Sequence, residues 1–348
     1  MTSRSMRPAA RYAGLAALAA VLLVGTPSVA PVSAVAADDS GCATTATGTA
    51  ANARTLPGRG KGVVDDSGDF TASERARSEA ERTRSLRSAR SMATVDQLPA
   101  SILVPIYVHI IQGNHERERT VSKAEVRRVV NILRAAYRGD QSSFAATTRF
   151  SFTIKSFTVT RNDRWYHARM GSADDQQMKR RLHRGFSRAL NLYINAPRGP
   201  QGTSGLLGFA RFPWQYDSNK TQDGVTVHAE SLPGGSYSGF NAGDTVVHEV
   251  GHWLGLFHTF QSSKSDPCMD TVNDGVADTP AEKEPNGRRP NGPCDNPSNL
   301  CDPTLLLPPD ALRDPVFNFM DYASDRCMRE FTQGQSDRMD LEYALYRY

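Results

Sequence analysis

The sequence has little net charge and lacks a long apolar run. Its 41 basic and 37 acidic residues leave a formal net charge of +4, and the two kinds are interleaved rather than gathered into a stripe or an arm. This balance gives no support for nucleic-acid binding. The apolar run near the N-terminus, from Tyr12 to Val24, has about 13 residues, whereas a membrane-spanning helix needs about 20. A transmembrane anchor is therefore disfavoured.

The first 36 residues have the parts of a secretory signal peptide. Arg4, Arg7 and Arg11 precede the apolar run, and small residues up to Ala36 follow it. We therefore expect residues 1–36 to be removed on export, which would leave a secreted, extracellular protein with no membrane attachment. An uncleaved anchor is the alternative, and the short run disfavours it.

The next segment is poor in residues that build a core. Residues 37–98 are rich in Ala, Thr, Ser, Gly and Arg, and Phe70 is their only aromatic residue. Such a composition buries too little apolar surface to offset the entropy of ordering, apart from a charged helix between Ser73 and Ser91. We interpret the segment as a largely irregular propeptide. A flexible linker kept on the mature protein is the alternative.

Regular structure is predicted from residue 99 onward. Ile102–Gln112 has the β-branched and aromatic residues of a strand, and Ser122 with Glu125 forms a capping box that begins an amphipathic helix. Pro213 indicates that the apolar segment 206–214 is an edge strand or that the strand ends there. Further strands are predicted over 149–160, 190–196 and 224–230, and further helices over 174–186 and 332–348. The order of elements predicts an α/β (α+β) domain over residues 99–348.

The segment His248–His252 has the spacing of a metal site. In a helix, His248 and His252 lie on one face and their rings can converge on one ion. Gly255 can take a left-handed conformation that ends the helix and brings His258 back to the metal. Three neutral imidazoles leave one position of a tetrahedral Zn²⁺ open for water, as in catalytic sites. Zinc lowers the pKa of water to about 7, and Glu249 can accept its proton.

A buried helix whose histidines only pack is the alternative to this metal site. Five residues at this spacing would arise by chance with a probability on the order of 10⁻⁵, which disfavours that reading. A secreted binding protein that no longer turns over substrate would have lost Glu249 or a ligand, and none is lost. Serine hydrolysis has no support, because Ser204 lacks the second glycine of a nucleophile elbow.

Residues 248–258 resemble the extended zinc motif of metzincin metalloproteases, and Asn318–Tyr322 resembles their methionine turn. The closer resemblance is to the pappalysin and cytophagalysin-like family and covers the chain from about Leu98 to the end. It implies a zinc metalloendopeptidase made as a latent zymogen. It also implies a mixed twisted sheet over the zinc helix in a subdomain that ends at about residue 258, followed by a loop-rich, disulfide-stapled subdomain over 259–348. The resemblance is also carried by residues 206–214, 223–225, 232–235, 252–256 and 331–335.

The resemblance assigns roles to two residues of the methionine turn. Met320 would form the apolar floor beneath the imidazoles, and Tyr322 would stabilise the oxyanion that develops on the substrate. An ordinary core position is the alternative for Met320. A protein or peptide substrate would add as a strand along the edge Gly208–Phe212. We expect the enzyme to be a monomer.

The resemblance also implies a calcium-binding loop and a specificity residue. An oxygen-rich loop suits Ca²⁺, although a solvated acidic loop is equally compatible with the residues. Asp325 occupies a position at which some relatives select Arg or Lys after the scissile bond, and its neighbour Arg326 could neutralise it. The candidate calcium ligands are Asp270, Asn273, Asp274, Asp278 and Thr279.

The five cysteines divide into a cluster of four and one that is isolated. Cys268, Cys294, Cys301 and Cys327 lie in the last quarter of the chain, and four cysteines in an oxidising environment suggest two disulfides with three possible pairings. The resemblance implies the pairs Cys268–Cys301 and Cys294–Cys327. The thiolate of Cys42 can occupy the fourth zinc position and keep the precursor inactive. The family's latency cysteine is usually followed by glycine and this one by alanine, so an incidental free thiol is the alternative.

Overall fold

The computed structural model of this protein describes most of the chain from residue 95 onward. The predicted signal peptide and Cys42 lie outside the described residues, as do the candidate ligands Asp270 and Asn273 and the predicted disulfide Cys268–Cys301. Within the described residues, no helix is long and apolar enough to cross a lipid bilayer. The described ranges are residues 52–55, 76, 79–80, 82–84, 95–199, 202, 204–261, 274–282, 285, 294 and 314–348.

A mixed, twisted sheet forms the centre of the described structure. Its six strands lie in the order β1-β5-β6-β4-β2-β3. Strands β2, β3, β4 and β6 are parallel, whereas β5 pairs antiparallel with β6, and β1 pairs antiparallel with β5. Strand β5 is thus the edge of a five-stranded sheet to which β1 is added. The strands are β1 (Asn52–Thr55), β2 (Ile102–Gln112), β3 (Phe150–Arg161), β4 (Leu190–Asn195), β5 (Leu206–Ala210) and β6 (Val225–His228).

In the part of the chain that the structure describes, five complete α-helices and three short 3₁₀ turns accompany the sheet. The predicted capping box at Ser122 and Glu125 is confirmed at the start of α1, and a second one at Thr332 and Gln335 begins α5. The helices are α1 (Lys123–Arg138), α2 (Asp163–Tyr166), α3 (Ala173–Leu182), α4 (Asp244–Trp253) and α5 (Gln333–Tyr346). The 3₁₀ turns are Pro213–Gln215, Lys220–Gln222 and Ala229–Ser231.

The two faces of the sheet are covered by different helices. Helices α1 and α4 contact each other, and α1 packs on β3 while α4 packs on β5 and β6. Residues of β2 such as Val104, Ile106 and Val108 point into the large core on that side. A smaller core on the other side joins Ile111 of β2 with residues of α2 and α3, including Met178. Helix α4, which carries the zinc motif, is therefore held between the sheet and α1.

Several predicted boundaries differ from the observed ones. The helix predicted over 174–186 ends at Leu182, because the side chain of Asn191 accepts from the backbone N–H of Arg184 and donates to its carbonyl oxygen. These two bonds turn the chain into β4. The strand predicted over 206–214 ends at Ala210, since Pro213 begins a 3₁₀ turn. The mixed α/β fold itself is confirmed.

A disulfide and a buried ion pair join the C-terminal part of the chain to other segments. Cys294 and Cys327 form one of the two predicted disulfides, with their Cα atoms 5.3 Å apart. The buried guanidinium of Arg347 contacts both carboxylate oxygens of Asp223 at 3.1 Å. Its Nε also donates to the carbonyl oxygen of Trp253, the last residue of α4. The chain end therefore braces the helix that carries the zinc motif.

Candidate metal centre

Helix α4 and the bend after it bring three imidazoles together. His248 and His252 lie one turn apart on α4, as their spacing predicts. Gly255 has a φ of 101°, and a Cβ there would lie 2.5 Å from Cγ of Glu342. Only glycine fits this position, because a side chain would meet both the strained backbone and α5. The bend returns the chain so that His258 faces the other two histidines.

The three ring nitrogens form a nearly equilateral triangle. Nε2 of His248 lies 3.1 Å from Nε2 of His252 and 3.2 Å from that of His258, and the third side measures 3.0 Å. Zn–N bonds of about 2.0–2.1 Å at tetrahedral angles separate the nitrogens by about 3.3 Å. All three histidines are fully buried. The triangle therefore fits one zinc ion bound by three imidazoles.

The ring protons are directed away from the centre of this triangle. Nδ1 of His248 lies 2.6 Å from the carbonyl oxygen of Phe319, and Nδ1 of His252 lies 2.7 Å from that of Leu256. A carbonyl oxygen can only accept, so both Nδ1 atoms carry the proton and both Nε2 lone pairs face the metal position. Burial, together with the nearby His258 ring, lowers the pKa of His252 well below its usual range. The neutral form that binds zinc is thereby favoured.

Glu249 lies between the histidine helix and the edge strand. Its side chain is fully buried, and a Cβ at Gly208 of β5 would lie 2.8 Å from both its Cγ and its Oε1. Glycine at 208 thus allows the carboxylate to approach the backbone of β5. The group predicted to accept a proton is placed beside the strand along which substrate was predicted to bind.

The predicted methionine turn packs against α4, the helix that carries two of the histidines. Met320 is fully buried, its Sδ packs against Gly251 of α4, and its carbonyl oxygen accepts from the backbone N–H of Thr259. Its own N–H donates to the side chain of Asn318, which exchanges two hydrogen bonds of 2.9 and 3.0 Å with Gln335 of α5. Helix α5 therefore fixes the turn, and the turn fixes His248 through Phe319.

Tyr322 stands beside the imidazoles and remains partly exposed. Its ring centroid lies 4.7 Å from that of His258 and 5.8 Å from that of His248. Phe260 stacks on His258 at 4.9 Å, and its ring also contacts that of Tyr322 at 4.9 Å. The phenol ring is thus next to the metal position and partly exposed.

Asp325 forms contacts that the sequence did not suggest. It is buried, and its Oδ2 accepts from the backbone N–H groups of Ala242 and Gly243 at 2.7 and 3.2 Å. These residues immediately precede α4, and a carboxylate at a helix N-terminus is favoured by the helix dipole. Asp325 therefore anchors the start of the zinc helix. No local sequence pattern predicts this contact, because the two segments are 82 residues apart.

Three candidate calcium ligands lie within the described residues. Asp274 and Thr279 are buried, and Oδ1 of Asp274 accepts from the N–H of Val276. Both oxygens of Asp278 accept from the start of α5, one from the hydroxyl of Thr332 and one from the N–H of Gly334. The carboxylate of Asp278 is therefore engaged in holding the loop to α5.

Comparisons with known proteins agree with this site. The family model described as pregnancy-associated plasma protein-A, peptidase M43, matches residues 173–344. The extracellular metalloprotease of Arthroderma benhamiae is 31% identical over 271 residues, which are 77% of this chain and 88% of the relative. That of Colletotrichum graminicola is 34% identical over 253 residues, which are 71% and 78% of the two chains.

Solved structures of mirolysin share the fold. Mirolysin in complex with compound 9 is 24% identical with a TM-score of 0.56, and the match covers 72% of this chain and 97% of that one. A promirolysin mutant of Tannerella forsythia is 23% identical with a TM-score of 0.59, covering 80% and 93%. The family model, the similarity to the extracellular metalloproteases and the histidine triangle together show that this chain belongs to the peptidase M43 family and is a zinc metalloendopeptidase.

Proposed function

We propose that the protein is secreted as a latent precursor and, once processed, hydrolyses peptide bonds with Glu249 as general base. The observation that carries the catalytic part is the Nε2 triangle of His248, His252 and His258 beside the carboxylate of Glu249 at the edge of β5. Secretion is supported by the signal-like N-terminus and by relatives named extracellular metalloproteases.

The residues around the triangle each have a different role in the proposed reaction. Zinc held by three imidazoles acidifies water and polarises a peptide carbonyl. Glu249 takes the proton of the attacking water and later returns it to the leaving amine. Substrate backbone pairs with the edge of β5, which holds the scissile bond beside Glu249. The hydroxyl of Tyr322 donates a hydrogen bond to the oxyanion that develops on the substrate carbonyl.

Removal of the metal tests this assignment directly. We expect the chelator dipicolinate to lower peptide cleavage by at least about 10²-fold, because the metal supplies both the acidified water and the electrophile. One equivalent of zinc, added after the chelator is dialysed away, should restore cleavage. The measurement is the initial rate on a quenched fluorescent peptide. Isophthalate, which resembles dipicolinate but lacks the ring nitrogen, serves as control. Full cleavage by protein shown to be metal-free would contradict the proposal.

The latent state is supported by the strand β1, which comes from the predicted propeptide. Its backbone pairs with β5 in a register that sets Asn52 opposite Ala210 and Arg54 opposite Gly208. This edge overlaps the one predicted to bind substrate, so substrate and β1 would compete for the same backbone groups. The promirolysin structure also matches 80% of this chain, whereas mature mirolysin matches 72%. Cys42 lies outside the described residues, and its role as a zinc ligand of the precursor stays a prediction.

An ion pair anchors another part of the propeptide segment. Oε1 of Glu79 lies 2.8 Å from Nη2 of Arg338, a buried residue of α5 whose Nε donates to the carbonyl oxygen of Gly255. Glu342 also lies 3.8 Å from Arg338, and burial raises the pKa of Glu342 to about 7. Because Glu342 lies farther from Arg338 and is only partly ionised near pH 7, we infer that the propeptide carboxylate is the main partner of Arg338 in the precursor.

Glu79→Gln should therefore weaken the hold on the propeptide segment. Loss of one member of a buried charge pair costs about 2–5 kcal/mol, and the part-exposed Glu79 side chain places the effect near the lower end. We expect the unprocessed precursor to show roughly 10-fold more peptidase activity, measured before any cleavage is visible by electrophoresis. Arg84→Gln, at an exposed position of the same segment, is the matched control. Equal activities of the two variants would argue against the anchor.

Three further assignments are proposals that extend the family resemblance. We propose that the loop after the zinc helix binds Ca²⁺ through Asp270, Asn273, Asp278 and the buried Asp274 and Thr279. We propose a preference for Arg or Lys after the scissile bond, directed by the charge of Asp325 at the start of α4. We also propose that the enzyme acts as a monomer.

A further inference from the structure

A second group of metal-binding side chains lies at the ends of two neighbouring parallel strands. The loop after β2 carries His115 and Glu118, and Asp163 follows β3 as the first residue of α2. The loops meet because β2 and β3 are parallel neighbours, and the N–H of Asn162 donates to the carbonyl oxygen of Gln112. One ligand atom from each of these three side chains lies within 4.8 Å of the other two.

A fourth side chain, that of His167, contacts this group through Glu118. His167, at the C-terminal end of α2, has its Nε2 2.5 Å from Oε1 of Glu118. Each of two segments, the loop after β2 and helix α2, thus supplies one imidazole and one carboxylate. Glu118 and His167 are 49 residues apart in the sequence. The group shares no residue with the histidine triangle of α4.

The carboxylates are held in place by their own backbone contacts. Asp163 accepts from both the backbone N–H and the side-chain amide of Asn114, at 2.5 and 2.9 Å. Oε2 of Glu118 accepts from the N–H of His115, and its carboxylate packs over Gly113, where a Cβ would overlap it. A carboxylate has about four lone-pair positions, so each of these groups retains capacity for an ion. The two carboxylates are therefore held in position before a metal binds.

The charges in the group also favour a cation. Hydrogen bonds from Asn114 lower the pKa of Asp163, and the positive forms of His115 and His167 act in the same direction. Asp163 is therefore ionised across the neutral range. A divalent ion bound here would meet two carboxylates and two imidazoles, which are side chains that bind metal ions in their deprotonated forms.

The ligand types indicate which metal would bind. Calcium and magnesium prefer sites made of oxygen alone, whereas two imidazoles with two carboxylates suit zinc and neighbouring transition metals. We infer that His115, Glu118, Asp163 and His167 form a second zinc site, separate from the catalytic one, which ties the loop after β2 to α2. Since the next residue, Arg119, bonds the carbonyl oxygens of Ala229 and Pro233, the ion would also steady the segment that leads from β6 towards α4.

Metal counting on intact protein tests this site. The full chain carrying Glu249→Ala, which prevents self-digestion, is loaded with one zinc equivalent and then titrated with further zinc by calorimetry. We expect a second, weaker equivalent in this protein. His115→Ala and His167→Ala should each weaken that second event by at least about 10-fold, because loss of a direct ligand costs at least as much as loss of a group that orients one. Both should keep the first equivalent.

The control is His183→Ala, a part-buried histidine that belongs to neither group. It should bind two equivalents like its parent. Thermal melting of proteins that already hold one zinc equivalent, with and without further zinc, gives a second readout, since the added zinc should raise the melting temperature of the parent and the control but not of the double variant His115→Ala, His167→Ala. A parent that binds one zinc only, or ligand variants that bind the second ion as tightly as the control, would overturn the inference.

Discussion

Glu249→Ala should lower kcat for peptide cleavage by at least about 10²-fold while the zinc content stays that of the wild type. The magnitude is the lower end of the contribution of a positioned general base. The variant keeps the three imidazoles and the bonds that orient them, from His248 to Phe319 and from His252 to Leu256. The loss should therefore fall on kcat and leave metal binding intact.

Glu249→Gln is the matched variant for this prediction. Glutamine keeps the shape that packs against Gly208 but cannot accept the proton of water. We expect it to be as slow as the alanine variant, with both measured on processed enzyme alongside zinc analysis by mass spectrometry. Turnover within a few-fold of wild type in either variant would remove Glu249 from the role of base. Loss of zinc together with activity would instead point to a structural role.

Arg347→Ala should destabilise the fold by about 3–5 kcal/mol, because it leaves the carboxylate of Asp223 buried without its charged partner. The pair is completely enclosed, with side-chain exposures of 0% and 1%. Arg347 also lies over the ring of Trp253, whose Nε1 donates to Asp223. Since Trp253 ends α4, we expect the midpoint of zinc release to shift to lower denaturant together with the unfolding transition.

A surface pair provides the control for this variant. Arg164 and Asp174 are 2.6 Å apart, but the arginine side chain is 75% exposed. Arg164→Ala should cost no more than about 1 kcal/mol, the upper range for solvent-exposed pairs. The measurement is the urea midpoint at constant m-value, taken on chains carrying Glu249→Ala. Equal midpoints for the two variants would show that the buried pair adds no stability beyond that of a surface pair.

The elements that the sequence predicted well are those with local signals. The capping box at Ser122 and Glu125 and the β-branched and aromatic residues of β2 are both local signals, and α1 and β2 begin where predicted. Strand β1 was not predicted, because the residues Asn52–Thr55 have no apolar alternation and pair only where the edge of β5 is available. Helix α2 is a single turn fixed by the side chain of Asn162, too short for any periodicity.

The same distinction applies to the site. The spacing of His248, Glu249 and His252 is a property of one helix turn, and Gly255 allows the bend that follows, so the sequence alone predicted the three metal ligands and the base. Tyr322 and Met320 were placed by family resemblance. Only the tertiary structure decided that Phe319 orients His248 from 71 residues away and that Asp325 anchors the start of α4 from 82 residues away.

The largest difference between sequence and structure lies in contacts between distant segments. The bond from Arg347 to Asp223 spans 124 residues, and the second histidine and carboxylate group joins two loops that meet only because β2 and β3 are neighbours. The spacing of the zinc motif depends on the backbone geometry of neighbouring residues, so the sequence is sufficient to predict it. Contacts between distant segments depend on which surfaces the sheet brings together when the hydrophobic core is buried, so only the tertiary structure reveals them.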